Sequence, residues 1–172
     1  MSISIRPASI LDSDAIALLH CNSWRTTYRG ILADEYLDDD LYNERQRYWY
    51  AKIQMLKGNE FVLIAEEETA AVGFIAVLDK PEAACDAFID NLHVRGDVKG
   101  KGIGANLMKA AAEILRATNR HSVYLWVLNG NNAAAEFYKR KGAVVEDSTT
   151  VIFGGKEVLQ TRFVWRSLEK ML

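Results

Sequence analysis

The fold is decided by residues 92–107, which read Leu92-His93-Val94-Arg95-Gly96-Asp97-Val98-Lys99-Gly100-Lys101-Gly102-Ile103-Gly104-Ala105-Asn106-Leu107. An apolar strand, a glycine-rich turn and a helix follow one another here, so backbone amides without side-chain cover are expected at a helix N-terminus. Unpaired N–H groups and the helix dipole favour an anion at such a place. Lys99 and Lys101 add positive charge beside it. The stretch therefore predicts a site for a phosphate or pyrophosphate.

The composition limits the class of protein. The chain has 172 residues, of which 49% are hydrophobic and 26% charged, so we expect one globular domain over residues 1–172. A formal net charge of −2 does not favour nucleic acid as the main partner, because proteins that bind it are usually clearly basic. No apolar run approaches the roughly 18 residues of a membrane span, and the N-terminus lacks the pattern of a signal peptide. We expect no membrane partner, a cytoplasmic location, and reduced thiols at Cys21 and Cys85.

Hydrophobic periodicity and turn residues predict the other elements. Strands are expected at 3–6, 61–65, 71–78, 86–94, 122–128, 143–153 and 156–166. Helices are expected from near Asp14, with Ile16, Leu18 and Leu19 as its apolar stripe, and at 41–57, 102–118 and 131–141. This order predicts a mixed α/β domain rather than a repeating βαβ array.

One familiar glycine motif does not fit the turn, and a second fits it without the acidic residue that its fold requires. The phosphate loop of NTPases requires Ser or Thr after its lysine, where this chain has Gly102. The dinucleotide fingerprint G-x-G-x-x-A does match from Gly100 onwards, but that fold expects an acidic residue at the end of the next strand. Here that strand ends at Leu128 and Asn129 follows. A nicotinamide-dependent oxidoreductase is therefore a weak alternative.

A third motif fits better, and a second segment agrees with it. Residues 99–105 resemble the acetyl-CoA pyrophosphate loop of the GNAT superfamily of acetyltransferases, [RQ]-x-x-G-x-[GA], with Lys99 replacing the first residue of the pattern. Residues 125–143 resemble the family motif V-x-x-x-N-x-x-A-x-x-F-Y-x-x-x-G-F, with Ala143 replacing the last Phe. The residues in register with that motif are Asn131, Ala134, Phe137, Tyr138 and Gly142.

The resemblance implies the GNAT fold. This is a central, mostly antiparallel twisted sheet of about seven strands, flanked by helices, with one parallel pair that splays apart. Here the splayed strands are those that end at Val94 and Val127. Acetyl-CoA is implied as the acetyl donor between them, with no metal. The implied cofactor contacts are Leu92, His93, Val94, Lys99, Gly100, Lys101, Gly102, Ile103, Gly104, Ala105, Asn131 and Tyr138.

The resemblance also implies catalytic roles. Tyr138 matches the residue that protonates the departing thiolate, and its alternative is a packed aromatic ring. Asp90 lies where relatives often carry the base that deprotonates the acceptor amine, and its alternative is a structural hydrogen bond. Strand alternation places the His93 ring on the face opposite Asp90 unless a bulge intervenes. Cys85 is a weak candidate for an acyl-cysteine intermediate, because the family transfers acyl groups directly.

The acceptor is less well defined. Trp24, Tyr28 and Trp126, together with Tyr48 and Trp49, are candidate walls of its site, although aromatic residues in the first helices also serve as core. The function implied is an N-acetyltransferase that acts on a primary amine of a small molecule or peptide by direct attack in a ternary complex. The alternative is a regulatory domain that binds acyl-CoA without catalysis. Relatives often dimerise, so a homodimer stays open.

Overall fold

The computed structural model describes residues 3–39, 41–80, 82 and 84–172. Asp40, at the end of an acidic run, and Pro81, which we expect in a loop, lie outside these residues. The strands are β1 (Ile3–Pro7), β2 (Phe61–Glu67), β3 (Ala70–Leu78), β4 (Ala87–Val94), β5 (Val123–Leu128), β6 (Val144–Phe153) and β7 (Lys156–Trp165). The α-helices are α1 (Ser13–Thr27), α2 (Asp34–Asp38), α3 (Leu41–Gln54), α4 (Ile103–Ala117) and α5 (Asn132–Arg140), with short 3₁₀ turns at Ile10–Asp12, Gly96–Val98 and Leu168–Met171.

The seven strands form one sheet in the order β1-β2-β3-β4-β5-β7-β6. Every neighbouring pair is antiparallel except β4 and β5, which are parallel. The mixed, mostly antiparallel sheet with one parallel pair is therefore confirmed. The sequence did not predict α2 or the three 3₁₀ turns.

Helices cover both faces of the sheet. On one face, α4 buries Ile103, Leu107, Ala111 and Leu115, which recur every four residues and form one stripe of the helix. On the other face, α1 and α3 pack over β2 and β3, with Trp49 fully buried against the ring of Phe74.

One predicted core position is wrong. Leu18 is 51% exposed, whereas Ile16 and Leu19 are buried. Residues two apart on a helix point in widely different directions, so Leu18 cannot share the stripe that Ile16 begins. His20 takes a place in that stripe and is 1% exposed. None of the helices in the described part of the chain is both long and apolar enough to cross a membrane.

The parallel pair separates soon after it begins. β4 and β5 are paired only through Ala87 with Val123 and Phe88 with Tyr124. From Ile89 onwards, the edge of β4 that faces β5 has no strand partner, and the two strands diverge. This gap in the sheet determines where the candidate site lies.

Candidate active site

A cleft of about 830 Å³ opens where β4 and β5 part. Its walls come from β4, β5, α1, α3, the first turn of α4, and α5. The predicted site residues that line it are Trp24, Tyr28, Tyr48, Asp90, Leu92, His93, Val94, Lys99, Gly100, Gly102, Ile103, Gly104, Ala105, Trp126, Asn131 and Tyr138. Lys101 is exposed and does not line the cleft. Trp49 is fully buried in the core, so its predicted place in the cleft wall is wrong.

The N-terminus of α4 forms one end of the cleft. Gly100 and Gly102 have φ of +83° and +82°, a backbone region that side chains with a Cβ rarely adopt. Gly102 is the N-cap residue, and the first intrahelical bond is donated by the Asn106 amide to its carbonyl, at 3.0 Å. The amides of Ile103, Gly104 and Ala105 therefore belong to a first turn without intrahelical acceptors. Their free N–H groups suit the pyrophosphate of a nucleotide cofactor.

A β-bulge reorganises β4 beside the cleft. Asn91 pairs with Ala76 and Ile89 pairs with Val77, so Asp90 is an extra residue without a partner on β3. One extra residue reverses the alternation of side chains beyond it. As a result, Asp90 contacts Tyr48 of α3 and His93 contacts His20 of α1, both on the helical face that α1 and α3 cover. Simple alternation would have placed these two side chains on opposite faces.

Asp90 is a buried carboxyl with two donors on one oxygen. Its Oδ2 accepts a hydrogen bond from the Tyr48 hydroxyl at 3.2 Å and another from the Asn91 side-chain amide at 2.5 Å. Burial raises the pKa of Asp90, although these hydrogen bonds and the charges of Lys52 and Lys80 oppose the rise. A carboxylate with a raised pKa is a stronger base, which suits proton abstraction.

His93 is a neutral ring held in a polar cluster. Its Nδ1 lies 2.9 Å from the Ser23 hydroxyl and its Nε2 lies 3.2 Å from the side-chain carbonyl of Asn91. The ring stacks on His20 with centroids 4.7 Å apart. Burial, with a smaller effect from the Lys99 charge, lowers the pKa of His93 to about 3. An imidazole with so low a pKa is a poor acceptor for the proton of an amine, which favours Asp90 as the base.

Tyr138 faces the cleft from α5. It is 7% exposed and packs against the rings of Phe137, Phe163 and Trp165. Burial raises its pKa, and the nearby Tyr28 hydroxyl adds to the rise. The phenol therefore keeps its proton at neutral pH, as a proton donor requires.

Asn131 begins the helix that carries Tyr138. Its side-chain oxygen accepts a hydrogen bond from the Ala134 amide at 3.3 Å and so caps the N-terminus of α5. Burial raises the pKa of Tyr28, and a side-chain hydrogen bond with Asn131 offsets part of this rise. Tyr28 thus lies beside Asn131 and Tyr138, among the residues predicted to contact the cofactor.

The two cysteines, Cys21 and Cys85, are buried thiols. Burial raises the pKa of both thiols, so both favour the protonated form, which is a poor nucleophile. Neither lines the cleft. In the described part of the chain, no group of three or more His, Cys, Asp and Glu side chains is placed to hold a metal ion.

Sequence reasoning missed several residues of the cleft. Ser23, Arg45, Lys80 and Phe88 all line it, and none was predicted to do so. Ser23 had a usable signal, because it precedes Trp24 in the aromatic segment of α1. Arg45 had none, since its position depends on how α3 packs against α1.

The sequence of this chain is similar to those of known proteins. The model of the "Acetyltransferase (GNAT) family" matches residues 21–143. An uncharacterized N-acetyltransferase, YuaI, from Bacillus subtilis is 30% identical over 132 residues, covering 75% of this chain and 73% of its own length. A spermidine N(1)-acetyltransferase from Thermoplasma acidophilum is 29% identical over 158 residues, covering 86% of this chain and 92% of its own length.

Solved structures show the same fold. The crystal structure of a PaiA N-acetyltransferase from Thermoplasma acidophilum, in complex with coenzyme A, has a TM-score of 0.76 at 24% identity and covers 94% of this chain and 98% of that one. The acetyltransferase YncA from Salmonella typhimurium, solved with acetyl-CoA, has a TM-score of 0.70 at 19% identity, and the match covers 98% of this chain and 95% of that one.

Proposed function

The chain belongs to the acetyltransferase (GNAT) family and is an acetyl-CoA-dependent acyltransferase, and we propose that it transfers acetyl to a primary amine of a small molecule or peptide by direct attack in a ternary complex. Residues 1–172 would act as one catalytic domain. One observation carries it: Asp90 and Tyr138 line the same cleft, beside the free amides at the start of α4. The spermidine acetyltransferase among the relatives supports an amine acceptor.

The residues present fit acetyl-CoA. Free amides of Ile103, Gly104 and Ala105 would hold its pyrophosphate, with Lys99 adding charge. The unpaired edge of β4 from Ile89 to Val94 would hydrogen-bond the pantetheine arm, as an added strand would. Bound there, acetyl-CoA supplies an acetyl group activated as a thioester.

Two side chains then move protons. Asp90 takes a proton from the ammonium group of the acceptor, which frees the nitrogen lone pair to form the bond to the acetyl carbon. Tyr138 gives its proton to the sulfur as the carbon–sulfur bond breaks, and the second proton that the new amide nitrogen loses restores the phenol. The raised pKa of Asp90 makes it a stronger base, and Tyr138 holds at neutral pH the proton that it donates. The buried thiols of Cys21 and Cys85 take no part.

The test is thiol release from acetyl-CoA in the presence of a broad panel of amines. Tyr138→Phe should lower turnover by about 10²–10⁴-fold, the usual worth of a general acid, while the affinity for CoA stays within about twofold. Tyr124→Phe is the matched control, because Tyr124 is buried on β5 and does not line the cleft, and its one hydroxyl hydrogen is shared between the Lys80 carbonyl and the Glu82 carboxylate. Full turnover in Tyr138→Phe removes the acid role. Tight CoA binding without thiol release from any amine favours the regulatory alternative.

A further inference from the structure

The acceptor side of the cleft is aromatic and positively charged. Of the aromatic rings that line the cleft, four have a cationic side chain about 5 Å from the ring centre. The Arg45 guanidinium carbon is 5.3 Å from the Trp24 ring and 5.0 Å from the Tyr48 ring. The Lys80 Nζ atom is 5.2 Å from the Phe88 ring, and the Arg162 guanidinium carbon is 5.3 Å from the Trp126 ring.

This arrangement disfavours an acceptor with several positive charges. Aromatic walls attract the ammonium groups of ligands through the negative faces of their rings. Here the chain's own arginines and lysine already lie over these rings. Among the described residues that line the cleft, Asp90 is the one carboxylate. A polyamine would therefore meet net repulsion, whereas an anionic group would be attracted.

Arg45 has unused capacity to bind an anion. Within the described part of the chain, its guanidinium donates to the neighbouring Glu44 carboxylate, and its buried Nε has no hydrogen-bond partner. A guanidinium has five N–H donors, so most of this one is unused. The Glu44 side chain is 43% exposed, and ion pairs with such exposed groups are weak and readily exchanged.

Tyr48 places this cation close to the candidate base. One face of its ring carries the Arg45 guanidinium, and its hydroxyl donates to Asp90. The span of one tyrosine side chain therefore separates an anion-binding group from the group that receives the amine proton. A molecule with a negative group and an amine a few bonds apart matches that spacing.

We propose that the acceptor is a small amine that also carries a carboxylate, with its carboxylate bound by Arg45 and its amine directed at Asp90. This inference rests on the proposed function, since it names the substrate class of the same site. It differs from the substrate named for the spermidine acetyltransferase relative, which is a polycation.

The experiment measures binding and transfer separately. The full chain, saturated with CoA, is titrated calorimetrically with the standard amino acids, with the amine that lacks the carboxylate of each, and with spermidine. The same compounds are then tested for thiol release from acetyl-CoA. The variants are Arg45→Met, Arg45→Lys and the surface control Arg29→Met. Arg29 pairs with Asp34 and Asp38 away from the cleft. Thermal melting checks that each variant is folded.

At least one amino acid should bind the wild-type complex about tenfold or more tightly than its decarboxylated partner, the worth of one charged hydrogen bond. The ratio of the affinity for the amino acid to the affinity for its decarboxylated partner should approach one in Arg45→Met and stay at the wild-type value in Arg29→Met. Arg45→Lys, which keeps the charge but loses the planar fork, should give an intermediate ratio and serves as the readout where the Met variant melts early.

Two results overturn the inference. One is tighter binding of spermidine or of the decarboxylated amines than of every amino acid, and the other is a ratio unchanged by both Arg45 substitutions. The binding readout does not require acetyl transfer. Selective binding without thiol release thus refutes the proposed function alone, and transfer to amines without selectivity refutes this inference alone.

Discussion

Replacing Asp90 with Asn should abolish most activity and yet stabilise the fold at neutral pH. Both donors to Asp90, the Tyr48 hydroxyl and the Asn91 amide, reach the same oxygen, Oδ2. An asparagine can place its carbonyl oxygen there and keep both hydrogen bonds. Each of them loses its charge-assisted character, at a cost of about 1 kcal/mol. Because the pKa of Asp90 is raised despite these donors, the cost of burying its charge is the larger effect.

The sign of the pH dependence follows from that shift. A raised pKa in the folded state means that the native protein binds the Asp90 proton more tightly than the unfolded chain does. Asp90 therefore stabilises the fold at pH values below its ordinary pKa of 3.8, and that contribution is lost as the pH rises through the folded pKa. The Asp90→Asn variant has no such loss, so its advantage in the free energy of unfolding should grow between acidic and neutral pH.

Urea unfolding of the wild type and Asp90→Asn from pH 3 to pH 8 measures this advantage, and steady-state kinetics measures a fall in kcat of about 10²–10⁴-fold. Asp86→Asn is a control with the opposite expected sign. The Asp86 Oδ2 accepts hydrogen bonds from the His121 and Ser122 amides and from the Ser122 hydroxyl, which together lower its pKa. Losing its charge should destabilise the fold. A less stable Asp90→Asn at neutral pH, or a kcat within tenfold of the wild type, would refute the assignment of Asp90 as a buried base.

Two further changes test other parts of the account. Gly102→Ala forces a residue with a Cβ to adopt φ +82°, at a cost of roughly 1–2 kcal/mol, and should weaken CoA binding measured by calorimetry. Gly96→Ala is the control: Gly96 has no positive φ and an added Cβ would meet no close neighbour, so this variant should bind CoA with normal affinity. Equal affinities would show that the turn is not needed for the cofactor. Hydrogen bonding to Arg6 lowers the pKa of Asp12 to about 2, so its stabilising contribution is present above pH 3.8 and is lost as the pH falls towards 2. Asp12→Asn should reduce the loss of stability between pH 3.8 and pH 2, measured by unfolding followed by circular dichroism. An unchanged loss of stability in this variant would exclude the Arg6 contact as its cause.

The parts of the structure that the sequence predicted depend on local patterns. The strand-turn-helix around Gly102 and the helix after Asn131 follow from glycine positions and the spacing of apolar residues. The seven strands follow from runs of β-branched and aromatic residues between turns. These features involve residues close together in the chain, so one sequence is enough to infer them.

The acceptor side depends on contacts between distant residues. The bulge at Asp90 exists only in the register between β3 and β4, and no residue type in β4 signals it. His93 and Ser23, which are 70 positions apart, meet because α1 packs on that strand. On α3, the neighbours Tyr48 and Trp49 face the cleft and the core respectively, a choice that helix packing makes. Such choices depend on tertiary packing and cannot be inferred from local periodicity.

The most direct test of the account is a single turnover with isotopically labelled acetyl-CoA, in which the labelled acetyl is followed by mass spectrometry on both the intact protein and the amine. Direct transfer of acetyl from acetyl-CoA to the amine, with Asp90 as base and Tyr138 as acid, predicts one labelled amine for each thiol released. The protein should stay unlabelled at every time point. Label that passes through Cys21 or Cys85 before it reaches the amine would contradict this mechanism.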